Sequence, residues 1–191
     1  MAPDLPQPVL ETERLILRPF TIADAPAVQK LAGAREVAST TMNIPHPYED
    51  GMAEAWISSH APGYEAGELA TYAILLRDDD QLVGAIGLVI NGTHARAELG
   101  YWIGVPYWNQ GFATEAAGAM LQFGFRDLGL NRIFAIHLVR NPPSGRVMEK
   151  SGMRHEGILR QHFRKWGAFE DVAQYGVLAD EWRQQQGLGG P

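Results

Sequence analysis

Along the chain the spacing of apolar positions switches between two and about three and a half, and each switch marks an element. Leu10 to Phe20 reads as a first strand closed by Pro19. Thr21 then opens a helix, with Asp24 as its capping-box partner and Ala25, Val28, Leu31 and Ala32 on one side. A loop from about Ser39 to Pro47 leads to a second helix, Tyr48 to His60, with Met52, Ala55 and Trp56 on one side. The glycine-rich piece Gly63 to Gly67 comes next. Three strands then follow in succession: Ala70–Arg77, Leu82–Ile90 and about Thr93–Val105. Asp78 to Asp80 makes the first turn, and Asn91-Gly92 reads as a two-residue hairpin turn, since both residues tolerate positive φ. Leu82–Ile90 is so continuously apolar that both its faces should be covered.

The second half alternates differently. A helix runs from about Gln110 to Leu128, with Ala113, Ala117, Met120, Leu121, Gly124 and Leu128 at helical spacing and Gly129 ending it. Arg132–Val139 is a further strand. Asn141-Pro142-Pro143-Ser144 opens a short helix to Lys150, with Gly152 just past its end. Two last strands, Arg154–Phe163 and Phe169–Leu178, precede a polar tail from Asp180. There is no internal repeat and no linker that would split the chain. The expected organisation is a loose tail over residues 1–9, one domain over 10–180 and a polar tail over 181–191.

Composition narrows the functional classes. With 191 residues, 46% hydrophobic and 20% charged, the chain is long enough for one full-sized core. The absence of cysteine excludes disulfides, thiolate metal sites and a cysteine nucleophile. A net charge of −6 argues against general nucleic-acid affinity. No apolar run reaches bilayer length and the first residues do not read as a secretion signal, so a cytoplasmic protein without membrane association is expected. Asp78–Asp80 lacks further acids at metal-loop spacing and reads as a solvated turn, so no metal is expected.

Candidate chemistry concentrates at Tyr107 to Ala116, where a strand passes into a helix through Gly111. A glycine there admits close approach of backbone to a ligand, and the first amides of the helix carry partial positive charge without intrahelical partners. That combination favours a phosphate or pyrophosphate. A plain packing junction is the alternative.

Four motifs in series then resemble a family: Glu13-Arg14-Leu15-x-Leu17-Arg18-Pro19; Glu98-Leu-Gly-Tyr-Trp-Ile103; Gln110-Gly-Phe-Ala-Thr-Glu-Ala116; and Asn141-x-x-Ser144-x-Arg146-Val-Met-Glu-Lys-Ser-Gly-Met153. Together, over roughly residues 9–180, they resemble the GNAT acetyltransferases, in particular the RimJ/RimL type that acetylates ribosomal-protein amino termini. The resemblance implies a mixed, mostly antiparallel α/β fold of about seven strands flanked by helices, with acetyl-CoA in a V-shaped opening between the fourth and fifth strands. It implies a pyrophosphate cradle built from the amides of Gln110, Gly111, Phe112, Ala113 and Thr114, with Trp108 where the wider superfamily has Arg or Gln. It also implies that backbone amides near Ile103, Gly104 and Val105 polarise the thioester carbonyl.

Acetyl transfer to an amine needs a base, a polarised carbonyl, alignment and a proton for the departing thiolate. Glu98 is the candidate base: it shares a strand face with Gly100, Trp102 and Gly104, where two glycines leave room for an acceptor. A salt-bridged or solvent-facing Glu is the equal alternative. His137 is a second candidate, otherwise a hydrogen-bonded core residue, and His162 a third, otherwise a surface residue. The superfamily's phenol acid is missing, because Met148 stands at that position. By resemblance Ser144 would donate to the CoA sulfur, unless it serves only as the helix N-cap. Asn141 would meet the pantetheine amide or satisfy backbone groups, and Arg146 would meet a CoA phosphate or point to solvent. The expected activity is acetyl transfer to a primary amine, a peptide amino terminus first; a small-molecule amine acetyltransferase and a non-catalytic acyl-CoA sensor are the rivals. Monomer and homodimer both remain open.

Overall fold

The computed structural model describes residues 6 to 188, so the outermost parts of the two expected tails (1–5 and 189–191) lie outside the described residues. The first apolar run is not one strand. It folds on itself as β1 (Leu10–Glu11) and β2 (Leu15–Arg18), paired antiparallel with Leu10 opposite Leu17. Thr12 forces the turn: its hydroxyl accepts from the Leu15 amide at 3.0 Å. A single 3-10 turn (Ile22–Asp24) leads into α1 (Ala25–Ala32). Asp24 accepts from the Thr21 amide at 2.8 Å, as a capping partner should, and grips both terminal nitrogens of Arg18 at 2.8 Å each.

The expected loop and second helix are broken up further, into α2 (Arg35–Thr40), α3 (Met52–Ser58) and α4 (His60–Glu65). Gly63 belongs to α4 rather than to a loop, and a Cβ there would meet Leu69 at 2.6 Å. β3 (Leu69–Leu76) and β4 (Leu82–Asn91) match expectation closely. The next turn does not: Gly92–His94 forms a 3-10 turn and Ala95 takes the left-handed conformation, φ +46°, before β5 (Arg96–Ile103). The Asn91 side chain accepts the His94 amide at 3.2 Å, which favours this longer loop over a two-residue turn.

β5 leads through a 3-10 turn (Val105–Tyr107) to α5 (Phe112–Gln122), whose last turn continues as π-helix over Phe123–Asp127. Then come β6 (Arg132–Leu138), α6 (Pro142–Lys150), β7 (Arg154–Lys165), β8 (Ala168–Leu178) and α7 (Ala179–Gln185). The tail expected from Asp180 therefore starts as a helix. Its polar residues hid one anchor, Trp182, which is 5% exposed and stacks near Phe125 at 5.5 Å.

All eight strands form one sheet in the order β1-β2-β3-β4-β5-β6-β8-β7, one more than expected because the first run doubles back. Two apolar cores lie on its opposite faces. Ala70, Tyr72, Ala97 and Leu99 turn toward α5 and α6, whereas Ala73, Leu75, Ala85 and Trp102 turn toward α1 and α3. β4 divides its residues between both cores, which explains its continuous apolar run. One junction is weak: β5 and β6 run parallel and pair only over Arg96–Glu98 with Arg132–Phe134. Beyond Glu98 the sheet splits, because β5 stays with β4 to Ile103 while β6 stays with β8 to Leu138.

Candidate active site

Strand parity decides what the split exposes. The Ala95 carbonyl accepts from Asn131 at 2.7 Å on the β6 side, and the Gly104 amide donates to Val83 at 2.8 Å on the β4 side. Odd-numbered residues of β5 therefore direct their backbone groups toward β6, where Leu99, Tyr101 and Ile103 find no paired strand. The Ile103 carbonyl is taken by the Trp108 indole at 2.7 Å, which leaves its amide facing the gap. This corrects one expected donor: the Gly104 amide is already bonded within the sheet. Gly104 is instead a packing glycine, since a Cβ would meet Leu31 at 2.8 Å. Neither Gly104 nor Val105 lines the cavity, whereas Ile103 does.

The N-terminus of α5 stands beside that gap. Asn109 (φ +61°) and Gly111 (φ +84°) turn the chain sharply into the helix. Among the described residues no acceptor meets the amides of Gln110, Gly111, Phe112, Ala113 or Thr114. Such a row of free amides at a helix start fits a diphosphate. The turn is fastened from the first motif. Arg14 donates to the Gln110 carbonyl at 3.0 Å, pairs with Glu115 at 2.7 Å and lies 4.8 Å from the Phe112 ring centre. Burial works against the Glu115 charge, yet hydrogen bonds from Thr12 and Arg14 hold its carboxyl below the usual range. Trp108 has an equally local task, clamping the turn to the end of β5. The Gln110 side chain turns back to the Pro106 carbonyl and stays out of the cavity wall.

One cavity of about 1350 Å³ passes through the split and joins both faces of the sheet. On the α5 side it is lined by Gly111, Phe112, Ala113, Thr114, Ser144 and Arg146. Arg146 is exposed and has no ion-pair partner among the described residues; Lys150, one turn on along α6, joins it on the same wall. Ser144 is not the helix N-cap. Asn141 holds that position, with Pro142 and Pro143 in the first turn. The Asn141 side chain points at the Thr40 carbonyl, at 3.5 Å.

Ser144 has a partner that the sequence did not reveal. Its hydroxyl lies 2.7 Å from the phenol oxygen of Tyr101, which also donates to the Ser144 carbonyl at 3.1 Å. Met148 is buried in the core, so the phenol of this site comes from β5 and not from α6. Burial pushes the Tyr101 phenol up to about 12, against the pull of Ser144, and keeps it a neutral donor.

On the opposite face the cavity reaches Glu98. Its carboxylate makes no ion pair or hydrogen bond among the described residues. Burial pushes it above the ordinary carboxylate range, while the charge of His162 acts the other way. His162 is exposed at the mouth, brought there by a bulge in β7 between Leu159 and Phe163. His137 is buried and bonds the Leu138 carbonyl through Nδ1 at 2.9 Å; its Nε2 has no partner among the described residues and abuts Gly145. It lies nearer Ser144 than the acceptor face. Among the described residues no three His, Cys, Asp or Glu side chains gather as a metal site requires, and no helix is long and apolar enough to cross a membrane.

A family profile described as an acetyltransferase (GNAT) domain matches residues 14–154. YoaA of Bacillus subtilis (strain 168), an uncharacterised N-acetyltransferase, is 34% identical over 172 residues, covering 90% of this chain and 97% of its own. The spermidine N(1)-acetyltransferase of Vibrio cholerae is 25% identical over 171 residues, 88% of this chain and 95% of that protein. In three dimensions the chain resembles RimL, the ribosomal L7/L12 α-N-protein acetyltransferase solved with coenzyme A. The TM-score is 0.80 at 18% identity, with 90% and 98% of the two chains covered, a likeness of fold.

Proposed function

The chain belongs to the GNAT acetyltransferase family, and on that premise we propose that it moves the acetyl group of acetyl-CoA directly onto a primary amine in the cytoplasm, with a peptide or protein amino terminus as the acceptor. The observation that carries this reading is the continuity of one cavity from the free amides at α5, through the split between β5 and β6, to the unpaired carboxylate of Glu98. Acetyl-CoA, when bound, supplies the acetyl group as a thioester. The amides of Gln110 to Thr114 hold its diphosphate, and Arg146 and Lys150 add positive charge beside them. Ile103 offers an amide to the carbonyl oxygen.

Glu98 takes the proton of the attacking nitrogen, directly or through water, and its raised pKa brings it closer to a useful base strength. As the new C–N bond forms and the C–S bond breaks, Ser144 donates its proton to the departing sulfur and Tyr101 replenishes Ser144. The motifs of the RimJ/RimL type support an amino-terminal acceptor. A small-molecule amine is the second reading, favoured by the segment of residues 39–44 that closes one side of the acceptor half.

The test is thiol release from acetyl-CoA with a panel of peptides and small amines, products identified by mass spectrometry. Turnover that depends on Glu98 supports the reading. Tight coenzyme A binding without turnover on any amine, unchanged by Glu98→Gln, would show a sensor instead.

A further inference from the structure

The acceptor half of the cavity has an unusual balance of charge and surface. Its walls are Tyr48, Met52, Trp56, Trp102 and Phe163, and Glu98 is the single carboxylate among the described residues that line it. Trp56 is fixed by an edge-on contact with Phe20 at 5.1 Å, and Trp102 is buried in the core on that face. Two cations stand beside it. Lys165 is buried and donates to the carbonyls of Ile44 at 2.9 Å and Met42 at 3.3 Å. Arg140 donates to the Ser39 carbonyl at 2.7 Å and pairs with Glu170 at 2.9 Å. These cations hold the wall of residues 39–44 in place, and their bonds leave them poorly disposed to seat a carboxylate. Asp50 is held by Gln29, and neither it nor Glu54 lines the cavity; burial, helped by the Glu54 charge, raises the Tyr48 phenol.

We infer that the acceptor is a primary amine bearing one positive charge and a bulky apolar or aromatic group next to it, and not a polyamine or an acidic amine; this rests on the acyl-transfer reading above. The ammonium would approach Glu98 while the apolar group lies against Trp56, Tyr48 and Trp102, removing both surfaces from water. A second ammonium would be desolvated beside Arg140, whose partner Glu170 is already taken, with no further carboxylate lining the cavity to meet it. The same chemistry is offered by a free arylalkylamine and by a peptide that begins with Phe or Leu.

The experiment compares kcat/KM on the full chain for phenethylamine, a peptide beginning Phe, the same peptide beginning Glu, and spermidine. Phenethylamine or the Phe peptide should exceed both spermidine and the Glu peptide by roughly tenfold or more, and which of the two leads identifies the source. Equal or faster turnover of spermidine or the Glu peptide overturns the inference while leaving acyl transfer intact. Absence of turnover on every amine, with coenzyme A still bound, overturns acyl transfer itself and this inference with it. A second arm uses Ala55→Glu, which places a carboxylate on the exposed side of α3 that lines the cavity. It should raise relative activity on spermidine several-fold and lower it on phenethylamine; no change in that ratio would show that this wall does not meet the acceptor.

Discussion

Glu98 and Tyr101 stand three residues apart on β5 and point to opposite faces of the sheet, so in the proposed mechanism the strand itself separates acceptor deprotonation from leaving-group protonation. Replacing Glu98 with Gln is expected to lower kcat/KM by about 10²- to 10⁴-fold while leaving acetyl-CoA affinity unchanged by calorimetry. Because burial raises the folded pKa of Glu98, the base is lost as pH falls through a value above the ordinary carboxylate range. With a weakly basic amine as acceptor, the wild-type profile should show that acidic limb and the Gln variant should not. Tyr101→Phe should lower kcat with acetyl-CoA and have much less effect with a thioester whose thiol is strongly acidic, since such a leaving group needs no proton. If both donors lose the same factor, the phenol is structural. Ser144→Ala should behave alike, and the double variant should be little worse than either single one, as expected of residues that act as a unit. Glu98 was legible as a candidate because strand periodicity and two glycines mark its face. Tyr101 was not, because its partner is 43 positions away in the chain and meets it only through packing of α6 on the sheet.

Among the elements, the turn into α5 and the wall over the acceptor half are held by side chains from distant parts of the sequence. Gly111 sits at φ +84°, and a Cβ there would approach Arg14 to 3.3 Å. Gly111→Ala should therefore cost about 1–2 kcal/mol of local strain and raise the KM for acetyl-CoA by roughly tenfold, with little change in kcat. A direct titration of coenzyme A against the variant checks it. Lys165 holds the carbonyls of the 39–44 segment. Lys165→Met should raise the KM for the amine several-fold and leave that for acetyl-CoA unchanged; an equal shift in both would mean the whole site had moved. The sequence marked the first turn through its glycine and free helix amides. It pointed to residues 39–67 as shaping the acceptor pocket, but it did not show Arg14 as the turn's fastener or Lys165 as the anchor of the 39–44 segment, because both contacts come from another layer of the fold.

For the molecule as a whole, the two cores answer differently to pH and truncation. His60 is 6% exposed, flanked by Phe20 and Trp56, and neither ring nitrogen has a partner among the described residues. Burial pulls it down to about 4 from an ordinary 6.5. The unfolded chain therefore binds a proton that the folded chain refuses, so stability is unaffected above 6.5 and declines as pH falls from there toward 4. Urea midpoints should follow that course in the wild type, and His60→Phe should flatten it. On the other face, Trp182→Ala should cost about 3 kcal/mol in chemical denaturation, because α7 closes the core beneath α5.

Alternation of apolar residues and the turn residues were enough by themselves to specify the α/β class and most of the strand–helix order, since each rests on local periodicity or on short-range backbone geometry, while the four ordered motifs marked the glycine turn into α5 as a candidate coenzyme site through their resemblance to a family. Tertiary structure alone decided where the sheet splits, which amides remain free and which phenol faces Ser144. Those outcomes depend on β5 following β4 while β6 follows β8 beyond Glu98, and on how α6 packs over the opening, and no local spacing records where two neighbouring strands part.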